Sequence, residues 1–212
     1  MFGRKWYALL TKQLSTEIKG FPDKKFLASC IAGNEARELN ERMRHTSNVL
    51  RKFLPDDFPQ ALEILKRIVP GLPRGYTNLV FPDFVGQYGN GHFDISMNAL
   101  QFFTGYGSSE FAIRQFLRYD FDSTIRLMYG WVKSPDHHVR RLASEGSRPA
   151  LPWSFRLERV IKDPSVTAPI LEALKENGVD RHAVVVGKIV DDSLRRRVQF
   201  GGHDNQAVAF VQ

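Results

Sequence analysis

Between His137 and Trp153 the chain reads HHVRRLASEGSRPALPW, the densest run of residues able to do chemistry in a sequence of 212. Ser134 suits an N-cap, Pro135 the first helical position and Asp136 the positive helix end, and Pro149 stops the run, so the spacing predicts a helix over about 135–146. At about 100° per residue Val139, Leu142, Ala143 and Gly146 share one face, while His138, Arg141, Glu145 and, with a little more helix, Arg148 form a stripe on the other. A carboxylate between arginines has two uses. One is an exposed Arg141–Glu145 pair at i, i+4, worth a few tenths of a kcal/mol. The other is a fixed negative charge that steadies a developing cation or takes a proton from water. Spacing alone leaves both open.

Other chemistries lack their residues. There are six histidines and one cysteine, with no HExxH or CxxC, and His137 and His138, as neighbours, are expected on different sides of a helix, so no metal site is expected. Ser108 and Ser109 stand outside a Gly-x-Ser-x-Gly elbow, and Cys30 has no evident base, which removes nucleophilic hydrolysis. The glycines at 89–91 (GNG) and 105–107 (GYG) fit neither a dinucleotide fingerprint nor a P-loop, so they read as helix-turn glycines and imply no cofactor. Carboxylates remain.

The elements that position them read as helices throughout. Trp6, Leu9, Leu10 and Leu14 recur at helical spacing, as do Phe26, Leu27 and Ile31 after the turn at 20–22. Leu39, Met43, Val49, Leu50 and Phe53 continue the period up to Pro55, and 58–69 adds another helix before the proline and glycine linker at 70–78. Short helices are expected over 81–88, 93–104, 108–118 and 123–133, and strand signals are poor. A faint repeat aligns SPDHHVRRLAS (134–144) with GVDRHAVVVGK (178–188), an offset of 44 that suits helical-pair repeats. The expected fold is all-α: a right-handed stack of antiparallel helix pairs, HEAT-like, with a concave basic face, in one domain over 1–212.

Composition sets the outer bounds. With 42% hydrophobic and 25% charged residues the chain reads as an ordinary globular protein, and no apolar run approaches a membrane span. A net charge of +7 and a pI near 9.6 point to an acidic partner, nucleic acid first and anionic lipid second. The single Cys30 forbids an internal disulfide and favours the interior of a cell; the basic first sixteen residues lack a targeting peptide's apolar core and read as an amphipathic helix. A cytoplasmic monomer is expected.

The stretch HVRRLASEGSRPALPW resembles the signature of the AlkC branch of bacterial DNA alkylation-repair glycosylases, helical-repeat proteins related to the AlkD branch. Further similarity lies in ELNERMRHTSNVLRKFLPDDFPQALEIL (38–65), SSEFAIRQFL (108–117) and APILEALK (168–175), so the resemblance covers most of 20–176 and fades beyond about 176. It implies a DNA glycosylase that cleaves the N-glycosidic bond of cationic N-alkylpurines, chiefly 3-methyladenine, in alkylated double-stranded DNA, with neither metal nor organic cofactor. It also implies that Glu145, Glu110 and a later aspartate line the active cleft with Trp153. Counting from Glu145 without a gap, that aspartate falls on Asp192 rather than Asp191, although its surroundings, VGKIVDD, depart from the family pattern. Arg141 and Arg148 are expected to hold backbone phosphates beside the lesion. Each residue keeps a plainer reading: Glu110 as a dipole-favouring first-turn acid, Trp153 as core or cap at a helix start, and the arginines as solvated partners of Glu145. At the level of the whole chain the rival is a helical-repeat scaffold that binds DNA or protein without catalysis.

Overall fold

The computed structural model describes residues 1–176, which contain eleven α-helices, four short 3-10 turns and no strand. The helices are α1 (Arg4–Glu17), α2 (Asp23–Ile31), α3 (Leu39–Phe53), α4 (Phe58–Ile68), α5 (Val80–Tyr88), α6 (Phe93–Thr104), α7 (Glu110–Tyr119), α8 (Phe121–Trp131), α9 (His137–Gly146), α10 (Glu158–Lys162) and α11 (Ala168–Glu176). The expected all-helical repeat architecture is what forms. The second copy of the faint repeat, at 178–188, and Asp192 lie outside the described residues.

Local sequence explains the helix starts. Asp57 and Asp120 accept hydrogen bonds from the amides of Gln60 and Ser123, at 2.9 and 3.1 Å, and so satisfy amide groups that a helix start leaves unpaired. In α9 the cap is Asp136, not Ser134: its Oδ1 accepts from the His138 amide at 2.8 Å, and the helix begins two residues later than the spacing predicts. Ser134 serves one step earlier, its Oγ accepting from the Asp136 amide. An aspartate, carrying a full charge, is a stronger partner for the helix's positive end than a serine.

Amphipathic faces then decide the packing. Helices α3, α5, α7 and α9 lie side by side as successive neighbours, with α11 against α9. Behind them α1 packs on α4, α4 on α6, α6 on α5 and α9, and α8 on α7 and α9. One cluster of buried side chains runs through both layers from Phe2 to Leu174, including Leu10, Phe26, Leu50, Leu65, Phe81, Phe103, Phe116 and Leu142. Leu9, expected in the first core stripe, is instead 42% exposed, since Trp6, Tyr7, Leu10 and Leu14 already fill that face of α1.

The inner row is close-packed because glycine permits it. A Cβ on Gly86 of α5 would stand 3.2 Å from the Ala112 Cα of α7, and one on Gly146 of α9 would stand 2.5 Å from Ile113 Cγ2 of α7. These contacts draw α5, α7 and α9 together, and with them the first residue of α7 and the last turn of α9, where the candidate carboxylates sit.

Candidate active site

Glu145 lies in the last turn of α9, opposite the apolar stripe of Val139, Leu142 and Ala143, yet it is only 8% exposed. Its Oε2 accepts a hydrogen bond from Arg148 Nη1 at 2.9 Å, an i, i+3 pair. The expected partner, Arg141, points elsewhere. Its Nη2 stands 3.2 Å from Glu110 Oε2, and its Nη1 donates to Ser108 Oγ, also at 3.2 Å. The i, i+4 pair is therefore replaced by one contact from the turn after α9 back to its last turn and one between α9 and α7. Two facts set the exchange: α7, whose first residue is Glu110, packs against α9 and brings a second recessed carboxylate within reach of Arg141, while Glu145 is already taken by Arg148.

Glu110 is recessed as well, its side chain 15% exposed. Its Oε2 is buried and takes no aligned hydrogen bond, so Arg141 holds it by charge alone. Ser109, the N-cap, is fully buried and spends its hydroxyl on the Leu100 carbonyl at 2.8 Å, which fixes the start of α7 to α6. Both glutamates are thus held on neighbouring helices by arginines from one segment, 141–148.

Trp153 corrects the core-or-cap expectation. It is 76% exposed, sits in a turn rather than at a helix start, and has φ +61°, making it the one non-glycine residue with positive φ among the described residues. A bulky side chain in the left-handed region is strained, so its neighbours must hold it there. Trp153, Ser154 and Phe155 form one wall of a cleft of about 930 Å³, whose other walls come from the 33–37 segment, α3, α5 and α7. Arg37, Arg44 and His45 line it together with Glu41 and Asp83. Of the five candidate residues among those described, Trp153 alone lines the cleft directly; Glu110 and Glu145 stand outside its lining, and Phe111, next to Glu110, is inside it.

Three features escaped sequence reasoning. Asp83 is 8% exposed and pairs with Arg44, whose Nη2 and Nε reach its carboxylate at 2.9 and 3.2 Å, while Gln87 Nε2 donates to it at 2.7 Å. A lone acid within the apolar run Val80–Gly86 was the available signal, because such a group needs a partner. Arg114 is fully buried and bonds to backbone carbonyls at and after the end of α9. An arginine between the core residues Ile113 and Phe116 was the available sign of that role.

The third feature corrects the expectation that His137 and His138 diverge. Their ring centroids are 3.9 Å apart, and the donor atoms of Asp136, His137 and His138 lie within 4.8 Å of one another. First-turn side chains meet no preceding turn, so adjacent rings can lean together. The setting does not favour a cation: the cluster sits at the positive end of α9, Asp136 Oδ1 already caps that helix, and Arg74 and Arg141 both bear on His138. Burial first, and the His137 charge second, hold the His138 imidazole below its usual pKa.

No protein-family model matches the chain. It is 44% identical over 139 residues to the uncharacterized protein YhaZ of Bacillus subtilis (strain 168), a match that takes in 66% of this chain and 39% of that protein. Among solved structures it resembles the Pseudomonas fluorescens alkylpurine DNA glycosylase AlkC bound to DNA containing an abasic site analog. The TM-score is 0.82 and the identity 38%, over 94% of this chain and 55% of the other. The chain therefore spans about half the length of that structure and less of the curated relative.

Proposed function

We propose, from the premise that this chain belongs to the AlkC type by fold and sequence, that it is a DNA glycosylase acting on alkylated DNA. Its substrates are N-alkylpurines that carry positive charge on the base, chiefly 3-methyladenine. The observation that carries this reading is the pair of recessed glutamates, Glu110 and Glu145, each fixed by an arginine from one segment and followed by an exposed, conformationally forced Trp153. In such a substrate the C1′–N9 bond breaks and the base departs as neutral 3-methyladenine, so the leaving group needs no proton. The barrier lies in the cationic, oxocarbenium-like sugar and in the placing of a water molecule.

Fixed carboxylates serve both ends. A charge set in place before the reaction steadies the sugar cation with no reorganisation, a contribution on the order of 3 kcal/mol. A carboxylate also takes the proton of the attacking water as the C1′–O bond forms, leaving abasic DNA and a proton that passes to solvent. Water and carboxylates supply all the chemistry, so the proposal includes neither a metal nor an organic cofactor. The third carboxylate in this reading is Asp192. Trp153 offers an indole face to the cationic nucleotide, and Arg141 and Arg148 meet phosphates of duplex DNA, which the protein engages as a monomer.

The test is release of 3-methyladenine from methylated duplex DNA by the purified protein, compared with a Glu110→Gln, Glu145→Gln double variant. Release by the wild type and not by the double variant is expected. Equal release from both would overturn the assignment of the glutamates.

A further inference from the structure

Arg114 is the largest fully buried side chain among the described residues, and no carboxylate pairs with it. Its guanidinium takes carbonyls instead. Nη1 donates to the Arg148 carbonyl at 2.7 Å and the Gly146 carbonyl at 3.3 Å; Nη2 donates to the Pro149 carbonyl at 3.5 Å and to that of Phe155. Gly146 is the last residue of α9, where unpaired carbonyls form the helix's negative end, so a cation is well placed there. The four carbonyls belong to both ends of one turn, residues 146–155. The Leu157 amide closes the same turn on the Pro149 carbonyl at 2.9 Å. Outside it, Arg118 lies 3.5 Å from the Phe155 ring centroid and Arg114 lies 5.4 Å from it, so one aromatic ring is gripped by two guanidinium groups of α7.

We propose that Arg114 is a positioning residue: by gathering the carbonyls of Gly146, Arg148, Pro149 and Phe155 it fixes the turn that presents Arg148 to Glu145 and holds Trp153 in its left-handed, exposed conformation at the cleft. Two independent observations meet here. Trp153 occupies a backbone conformation that persists only where the surroundings enforce it, and it exposes most of an indole that burial would stabilise. Arg114 is buried with its charge, which burial first and the neighbouring Arg148 charge second oppose, lowering its pKa to about 10; it still stays a cation at neutral pH. Both costs are borne at opposite sides of one turn. A guanidinium fits this role because its planar fork of donors spans several acceptors at fixed angles, whereas an ammonium is a compact point charge. The catalytic part of the inference rests on the glycosylase reading; the structural part does not.

The experiment uses the full chain labelled with 5-fluorotryptophan, whose three residues, Trp6, Trp131 and Trp153, give three fluorine resonances, the last assigned by Trp153→Phe. Trp6 is buried on α1, which packs on α2 and α4, and reports the fold. In Arg114→Met the Trp153 resonance is expected to leave its folded position for that of the free amino acid, with Trp6 unmoved. Arg114→Lys should give a smaller displacement in the same direction, and it carries the test if the methionine variant fails to fold. Single-turnover excision of 3-methyladenine should fall roughly tenfold or more in Arg114→Met, as loss of positioning does. The Arg114→Met, Trp153→Ala double variant should then be no slower than the slower single one, because the two act in sequence. An unmoved Trp153 resonance in both Arg114 variants overturns the proposal, as do multiplicative effects on rate. If the wild type excises nothing, the glycosylase reading fails while the fluorine spectra still decide the role of Arg114.

Discussion

Arg141 of α9 crosses to α7 and places Nη2 3.2 Å from Glu110 Oε2, while Glu145, one turn further along α9, is held by Arg148 at 2.9 Å. Two carboxylates on two helices are thus set by arginines seven positions apart in a single segment. Close approach of α7 and α9 makes this possible, and that approach depends on the absence of a side chain at Gly146.

The glutamates should separate binding from chemistry. Glu145→Gln keeps shape and hydrogen-bonding capacity while removing charge, so duplex affinity should hold and the single-turnover excision rate should drop roughly a hundredfold, as loss of one charge-stabilising group does. Glu110→Gln should behave alike. A variant that excises at the wild-type rate marks its glutamate as structural.

Gly146 should be intolerant for a packing reason. In Gly146→Ala the new Cβ would come within 2.5 Å of Ile113 Cγ2 and 3.2 Å of Met128 Cε, and overpacking of this kind costs about 1–3 kcal/mol. Gly130→Ala, whose Cβ meets nothing within 4 Å, is the control and should hold or raise stability. Thermal melts of both variants decide the matter: equal Tm values would mean that the helix contact at Gly146 is loose.

Cys30 should behave as a closed thiol. It is fully buried, and burial pushes its pKa up from about 9 to about 12. A folded-state pKa above the unfolded value means that the folded chain holds the extra proton. The associated stability is therefore fully present below about pH 9 and is lost as the pH rises toward about 12. At pH 8 a disulfide reagent should modify native protein at the rate of structural opening and denatured protein at once. Rapid labelling of the native state would contradict the burial.

How much was legible in the sequence differs between elements. The helices α5 to α8 follow from apolar spacing with glycine and proline breaks, and their ends fall within two residues of expectation, because local pattern and tertiary packing agree there. The carboxylates were visible as types; their partners were not. Arg141 turning from Glu145 to Glu110 depends on α7 lying against α9, a non-local fact that no helical wheel contains. Trp153 misled in the same way. Proline before an aromatic suggested a helix start, whereas the turn takes its shape from carbonyl contacts with Arg114, 39 positions earlier in the chain.

The third carboxylate can be assigned by substitution. Asp192 lies outside the described residues. Asp192→Asn should reduce 3-methyladenine excision further and Asp191→Asn should leave it unchanged, since catalytic geometry tolerates little displacement. Equal effects, or none from either, would mean that no aspartate here completes the site, and would favour a non-catalytic scaffold.

Duplex DNA premethylated on its purines and incubated with excess wild-type protein under single-turnover conditions gives the most direct reading. Free 3-methyladenine should be released with matching abasic sites, and neither a chelator nor the omission of cofactors should slow it. DNA binding that weakens as salt rises, with no base released above the uncatalysed rate, would contradict the proposed activity and leave a helical-repeat protein that binds DNA without cutting the glycosidic bond.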